Sequence, residues 1–231
     1  MVFHMVQEIQ NKSVITLLSL QRKKNFVLFR MKWEHDLKYV QDDMNNVVIY
    51  KPATPGYENA PTVILQGHMD MVCAKCPEIE HDFTKDGLKL VVKDGFLSAE
   101  GTTLGGDDGI AVAYGLALLD STDLPHPALE VVFTVDEETG LLGADGFDCS
   151  LLKGRRMINL DSEKEGCLWV SCAGGVAGNS YLPVRRVDAS GRKVNVKVCG
   201  LVGGHSGAEI HKNRASANIL MGQFLYELSH V

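Results

Sequence analysis

The sequence predicts an α/β fold, a sheet covered by helices, with a second domain beginning near residue 179. The runs Thr62 to Gln66 and Leu129 to Val135 are apolar without alternation, as strands buried on both faces are. Between them, Gly105-Gly-Asp-Asp-Gly109 opens a segment, Ile110 to Leu119, with Ile110, Ala113, Leu116 and Ala117 at helical spacing. Beyond about residue 179 the pattern becomes alternating, with Val194, Val196 and Val198 on one face and Asn195, Lys197 and Cys199 on the other.

Taken in order, residues 1 to about 44 hold a short apolar patch, a basic cluster and a mixed-charge stretch, Met31 to Tyr39, read as a helix without caps. Asn46 to Tyr50 has strand composition, and Lys51-Pro-Ala-Thr-Pro-Gly56 marks a connection. Lys93-Asp-Gly95 predicts a hairpin turn between Leu88 to Val92 and Phe96 to Ala99. Arg156 to Leu160 is a further strand, and Arg214 to Ser229 reads as a helix.

The 231 residues carry 29 acidic against 23 basic side chains, a net charge of −6, so no basic footprint for nucleic acid is expected. No stretch approaches the roughly 18 to 20 apolar residues of a membrane span, and Val14 to Leu20 lacks a cleavage pattern, so a cytoplasmic protein is expected. The six cysteines fall at no regular spacing. Cys73-Ala-Lys-Cys76 has no second pair to complete a zinc ribbon, and reduced, structural thiols are expected.

Three strands end in side chains that carry chemistry: His68 and Asp70 after the first, Asp136-Glu-Glu-Thr-Gly140 after the second, Asp161-Ser-Glu163 after the third. Asp107 and Asp108 stand at a helix start. Ligand sites of open α/β sheets lie at the carboxyl ends of strands. One imidazole and five carboxylates (His68, Asp70, Asp107, Glu137, Glu138, Asp161) gathered there would repel one another unless a divalent cation joined them. Nitrogen and oxygen donors without thiolate suit zinc, with cobalt or manganese as alternatives, and two ions would activate a water and polarise a carbonyl. Of the adjacent Glu137 and Glu138, one can ligate while the other takes a proton, and Asp70 can orient the His68 ring. Hydrolysis is the reaction this set suits.

These residues, with Gln66-Gly-His-Met-Asp-Met-Val72, His81-Asp-Phe-Thr-Lys-Asp86, Gly101 to Gly109, Asn159-Leu-Asp-Ser-Glu163, Cys172-Ala-Gly-Gly175 and Gly203-Gly-His-Ser-Gly-Ala-Glu-Ile-His211, form an ordered series. From about Tyr39 onward the chain resembles the co-catalytic dizinc metallopeptidases, and within them the aminoacyl-histidine (Xaa-His) dipeptidases. The resemblance implies a catalytic domain with a mixed sheet, here residues 1–178, and the start of an α+β lid domain, 179–231, through which subunits pair as a homodimer. It implies two zinc ions per complete subunit, with His68 and Asp161 on one, Asp107 bridging, and Glu138 on the second. Glu137 would be the general base acting with a zinc-activated water, Asp70 the partner of His68, and His205 the contact to the developing oxyanion. Unblocked dipeptides, Xaa-His preferred, are the implied substrates. Family members run about twice this length and supply a last histidine for the second zinc from beyond residue 231, so the chain reads as an N-terminal half. The rival readings are a non-catalytic remnant with an incomplete metal site, and a related carboxypeptidase or amide deacylase.

Overall fold

A computed structural model describes residues 36–230, apart from 163, 173, 175, 177, 189 and 205–208. The apolar patch, the basic cluster and most of the helix expected over Met31 to Tyr39 lie outside the described residues. The described end of that stretch is not helical: Lys38–Gln41 forms strand β1. Its four residues pair with β2, Val47–Lys51, in antiparallel register from Lys38 opposite Tyr50 to Gln41 opposite Val47. A strand partner thus overrides a mixed-charge pattern that fits either state.

The chain divides into one unit through Glu165 and another from Gly166, a boundary drawn before the expected residue 179. The first unit holds a mixed five-stranded sheet of order β1-β2-β6-β3-β7, where β3 is Val63–His68, β6 is Leu129–Thr134 and β7 is Arg156–Asn159. Strands β6, β3 and β7 run parallel, whereas β2 meets β6 antiparallel. Parallel β6, β3 and β7 point their carboxyl ends the same way, which places the three functional strand ends at one edge. A separate hairpin of β4, Leu90–Lys93, and β5, Phe96–Ala99, turns at Asp94 and Gly95, both at positive φ as a tight two-residue turn requires.

Helix α1, Gly106–Asp120, covers one face. Its inward residues are Ala111, Val112, Gly115, Leu116 and Leu119, while Ile110, placed inward by spacing alone, is 48% exposed. The first turn is irregular at Asp107 and Asp108, and the buried stripe runs through 111, 112, 115, 116 and 119 rather than 110, 113, 116 and 117. The helix packs Val112, Leu116 and Leu119 on Val47, Ile49, Leu65, Val131 and Phe133. At Gly115 it comes so close that an added Cβ would stand 2.7 Å from the Phe133 ring and 2.9 Å from Val131. Val48, Ile64 and Val132 point to the other face and pack with Phe147, Leu151 and Leu152.

Charged groups fasten these elements. The Lys51 ammonium donates to the carbonyls of Leu118, Leu119 and Ser121 at the carboxyl end of α1, where a cation offsets the helix dipole. Buried Glu130 accepts the N–H groups of Lys153 and Gly154, so its charge is satisfied and the turn into β7 is fixed. Buried Asn46 donates to Asp42 and to the carbonyl of Gly143, and accepts the N–H of Val135. It thereby holds both ends of the loop that follows β6, including the short helix α2, Leu142–Asp145.

The second unit contains helix α3, Ala217–Leu228, capped by the Ser216 hydroxyl on the N–H of Ile219. The alternating run 194–199 does not form the expected strand. Alternation defines two faces but not a partner, and among the described residues no segment pairs with it, leaving Val194 71% and Val196 50% exposed. Five of the six cysteines do not serve packing: Cys73, Cys76, Cys149, Cys172 and Cys199 are exposed, and Cys167 is half-buried.

Candidate metal centre

His68 is the last residue of β3, on the central strand of the parallel trio, and is 1% exposed. Its Nε2 faces Oδ1 of Asp107 at 3.0 Å, and its Nδ1 lies 3.1 Å from the Asp70 carbonyl and 3.4 Å from the Asp70 carboxylate. A proton on Nδ1 is thus held by Asp70, and Nε2 is the nitrogen turned toward the carboxylates. The hydrogen-bond acceptors on one side of the ring leave the other side for a ligand bond.

The Asp70 carboxylate does more than face the imidazole. Its Oδ1 accepts the N–H of Glu137 at 3.2 Å and its Oδ2 that of Glu138 at 3.0 Å. One side chain therefore ties the ends of β3 and β6 together. Burial works against this charge, but the His68 hydrogen bond and the two amides outweigh it and bring the Asp70 carboxyl down to about 2. For His68, burial lowers the pKa, yet the hydrogen-bonded carboxylates of Asp70 and Asp107 and the charge of Asp161 prevail and raise it to about 9. Glu137 is raised by burial and then by Asp161, Glu138 and Asp70, against the lowering effect of His68.

Two groups of donors converge, each with its ligand atoms within 4.8 Å of one another: His68, Asp107 and Glu138, and His68, Asp108 and Asp161. Both share the imidazole. This donor set of one nitrogen and several carboxylate oxygens fits zinc, manganese or cobalt. Desolvation and the charge of Asp161 raise Asp108 to about 6, the strain of like charges that a bound cation would relieve. Glu137 stands beside these groups rather than in them, its Oε2 4.0 Å from His68 Nε2.

The structure thus brings together six of the seven residues singled out from sequence: His68, Asp70, Asp107, Glu137, Glu138 and Asp161. His205 lies outside the described residues. Asp108 was read only as part of a helix start. Its closeness to His68 and Asp161 depends on the irregular first turn of α1, and the adjacent acidic pair was the one sign of it in the sequence.

No family model matches the chain. It is 42% identical over 187 residues to the cytosol non-specific dipeptidase of Escherichia coli (strain K12), covering 80% of this chain and 39% of that protein. The crystal structure of aminoacylhistidine dipeptidase from Vibrio alginolyticus matches with a TM-score of 0.64 at 33% identity, over 93% of this chain and 45% of that one. Aminopeptidase PepT from Bacillus cereus matches with a TM-score of 0.53 at 25% identity, over 69% and 43% of the two chains. The chain spans less than half the length of these relatives. Over the stretch it spans, the chain is similar in sequence to the cytosol non-specific dipeptidase and in sequence and fold to the aminoacylhistidine dipeptidase.

Proposed function

We propose that this chain carries the metal-binding part of a dipeptidase that hydrolyses unblocked dipeptides, with Xaa-His substrates preferred and zinc as the metal. The observation that carries the reading is the convergence of His68, Asp107, Glu138, Asp108 and Asp161 at one sheet edge, with Glu137 beside them. His68, Asp161, Asp107 and Glu138 would hold two zinc ions per complete subunit, and these would supply Lewis acidity and a water that is nucleophilic at neutral pH.

Glu137 is assigned the proton work. Its carboxyl is raised above the usual range, which brings a general base nearer the pH at which it operates. It would take the proton of the attacking water and deliver it to the leaving amine. Asp70 fixes the ring of His68 and, through two amides, the loop from which Glu137 projects. His205 is assigned the contact to the oxyanion on the strength of the Gly203-Gly-His-Ser-Gly207 motif.

The proposal places the protein in the cytosol, as the name of its Escherichia coli relative suggests, and no described helix is long and apolar enough to cross a membrane. It assigns residues 179–231 to a lid through which two copies pair, supported by the exposed apolar residues Ile219, Leu220, Phe224 and Leu225 of α3.

The test is an assay of Xaa-His dipeptide hydrolysis by the purified chain, with zinc and with chelator. Turnover that chelator abolishes and that Glu137→Gln lowers by about 100- to 10,000-fold is expected. Turnover indifferent to chelator overturns the metal mechanism. A second reading keeps metal binding without turnover, because the chain covers 39% of the Escherichia coli relative; zinc uptake without hydrolysis would favour it.

A further inference from the structure

Asp108 is 1% exposed, carries a charge, and sits between the two elements that present metal donors. Its Oδ2 accepts the N–H of His68 at 3.3 Å, and its Oδ1 accepts the N–H of Ala111 at 3.3 Å in the first regular turn of α1. One carboxylate therefore joins the last residue of β3 to the first turn of α1, beside Asp107. A buried carboxylate satisfied by backbone N–H groups on two separate elements fixes their separation, since moving either one strands the charge.

The neighbouring sequence leaves room for this link. At Gly67 an added Cβ would lie 2.5 Å from Asp108 Oδ2 and 2.3 Å from the Ala111 Cβ. The absence of a side chain there is what lets the carboxylate reach the His68 amide. Capping alone does not account for the arrangement, because the bond to Ala111 would suffice for a cap, whereas the bond to His68 spans 40 residues.

We propose that Asp108, although it lies within reach of a cation shared by His68 and Asp161, acts as a positioning residue of the metal centre: each of its oxygens is engaged by a backbone N–H, and it holds the His68 imidazole and the Asp107 carboxylate at the spacing a cation requires. The inference rests on the metal-binding reading above. Partners that orient ligands without being the primary contact typically cost about 10- to 100-fold in metal affinity when removed.

The test measures zinc affinity of the chain by competition with a chromogenic chelator, for the wild type, Asp108→Ala, Asp108→Asn and Gly67→Ala, each checked by circular dichroism. Asp108→Ala is expected to bind zinc about 10- to 100-fold more weakly, and Asp108→Asn, which keeps one acceptor oxygen, to lose less. Gly67→Ala, which leaves the carboxylate in place but blocks its approach, should resemble Asp108→Ala. A merely structural role would lower the melting temperature of the metal-free chain and leave zinc affinity unchanged. Folded Asp108 variants with wild-type affinity overturn the inference while the metal reading stands; a wild-type chain that takes up no zinc overturns both. Should Asp108→Ala fail to fold, the isosteric Asp108→Asn decides by the same criterion.

Discussion

Strands β3 and β7 are parallel neighbours that each end in a candidate ligand, yet they differ in almost every other respect. β3 is paired on both sides, by β6 and β7, and its terminal His68 is 1% exposed. β7 is the edge of the described sheet, and its Met157 and Ile158 are 62% and 48% exposed. His68 is held through its ring by Asp70 and through its amide by Asp108 and is buried, whereas Asp161 comes two residues after the edge strand and is exposed. A paired strand end buries its ligand among neighbours; an edge strand leaves its ligand at the surface, where solvent competes for it.

The largest test of that difference is metal affinity. His68→Ala is expected to cost more than the roughly 100-fold that loss of an outer hydrogen-bond partner reaches, because both donor groups lose their shared member. Asp161→Ala should cost less, and isothermal titration with zinc on both variants shows whether that order holds. Equal losses would mean that the edge ligand is as firmly placed as the central one.

Stability gives the next contrast. Phe133→Ala opens a cavity beneath α1 and should cost about 3 to 5 kcal/mol by urea denaturation, whereas Met157→Ala on the edge should stay within about 0.5 kcal/mol. A costly Met157→Ala would show that β7 is covered in solution. Between these lies Lys51→Met, which leaves three carbonyls of the α1 end without their cation; a loss of about 1 to 3 kcal/mol is expected.

The remaining contrast is a pH dependence of the metal-free chain. His68 is raised to about 9 in the folded state from an ordinary value of 6.5. Its ion pairing therefore contributes stability that is fully present below about pH 6.5 and is lost as the pH rises through about 9. The melting temperature of chelator-treated chain should fall across that window, and His68→Gln should flatten the fall. A chain whose melting temperature is level from pH 6 to 9 would remove the ion pair as a stabilising element.

Strands β3 and β6 were legible because apolar runs with no alternation have few other uses, and the residues after them were legible because they break those runs abruptly. Helix α1 was legible in extent but not in rotation: spacing pointed Ile110 inward, whereas the face set by packing on the sheet buries Ala111 and Val112 and leaves Ile110 exposed. The irregular first turn hid Asp108, whose part depends on a contact between residues 40 apart in the chain. Strand β1 was missed because four residues of mixed character acquire their state from β2 rather than from themselves. The run 194–199 failed in the opposite sense, since a strand pattern without a hydrogen-bonded neighbour has nothing to pair with.

Gly115 bears on the metal centre although it touches none of its donors. Its missing side chain sets how deeply α1 sinks onto Val131 and Phe133, and the helix carries that depth to its other end, about 10 Å away at 1.5 Å per residue. The height at which Asp107 and Asp108 stand over the sheet edge is therefore set from two sides, by the Asp108 link and by this remote, uncharged position. A single methyl group added there would act as a shim, tilting the whole helix and retuning metal affinity without altering one ligand.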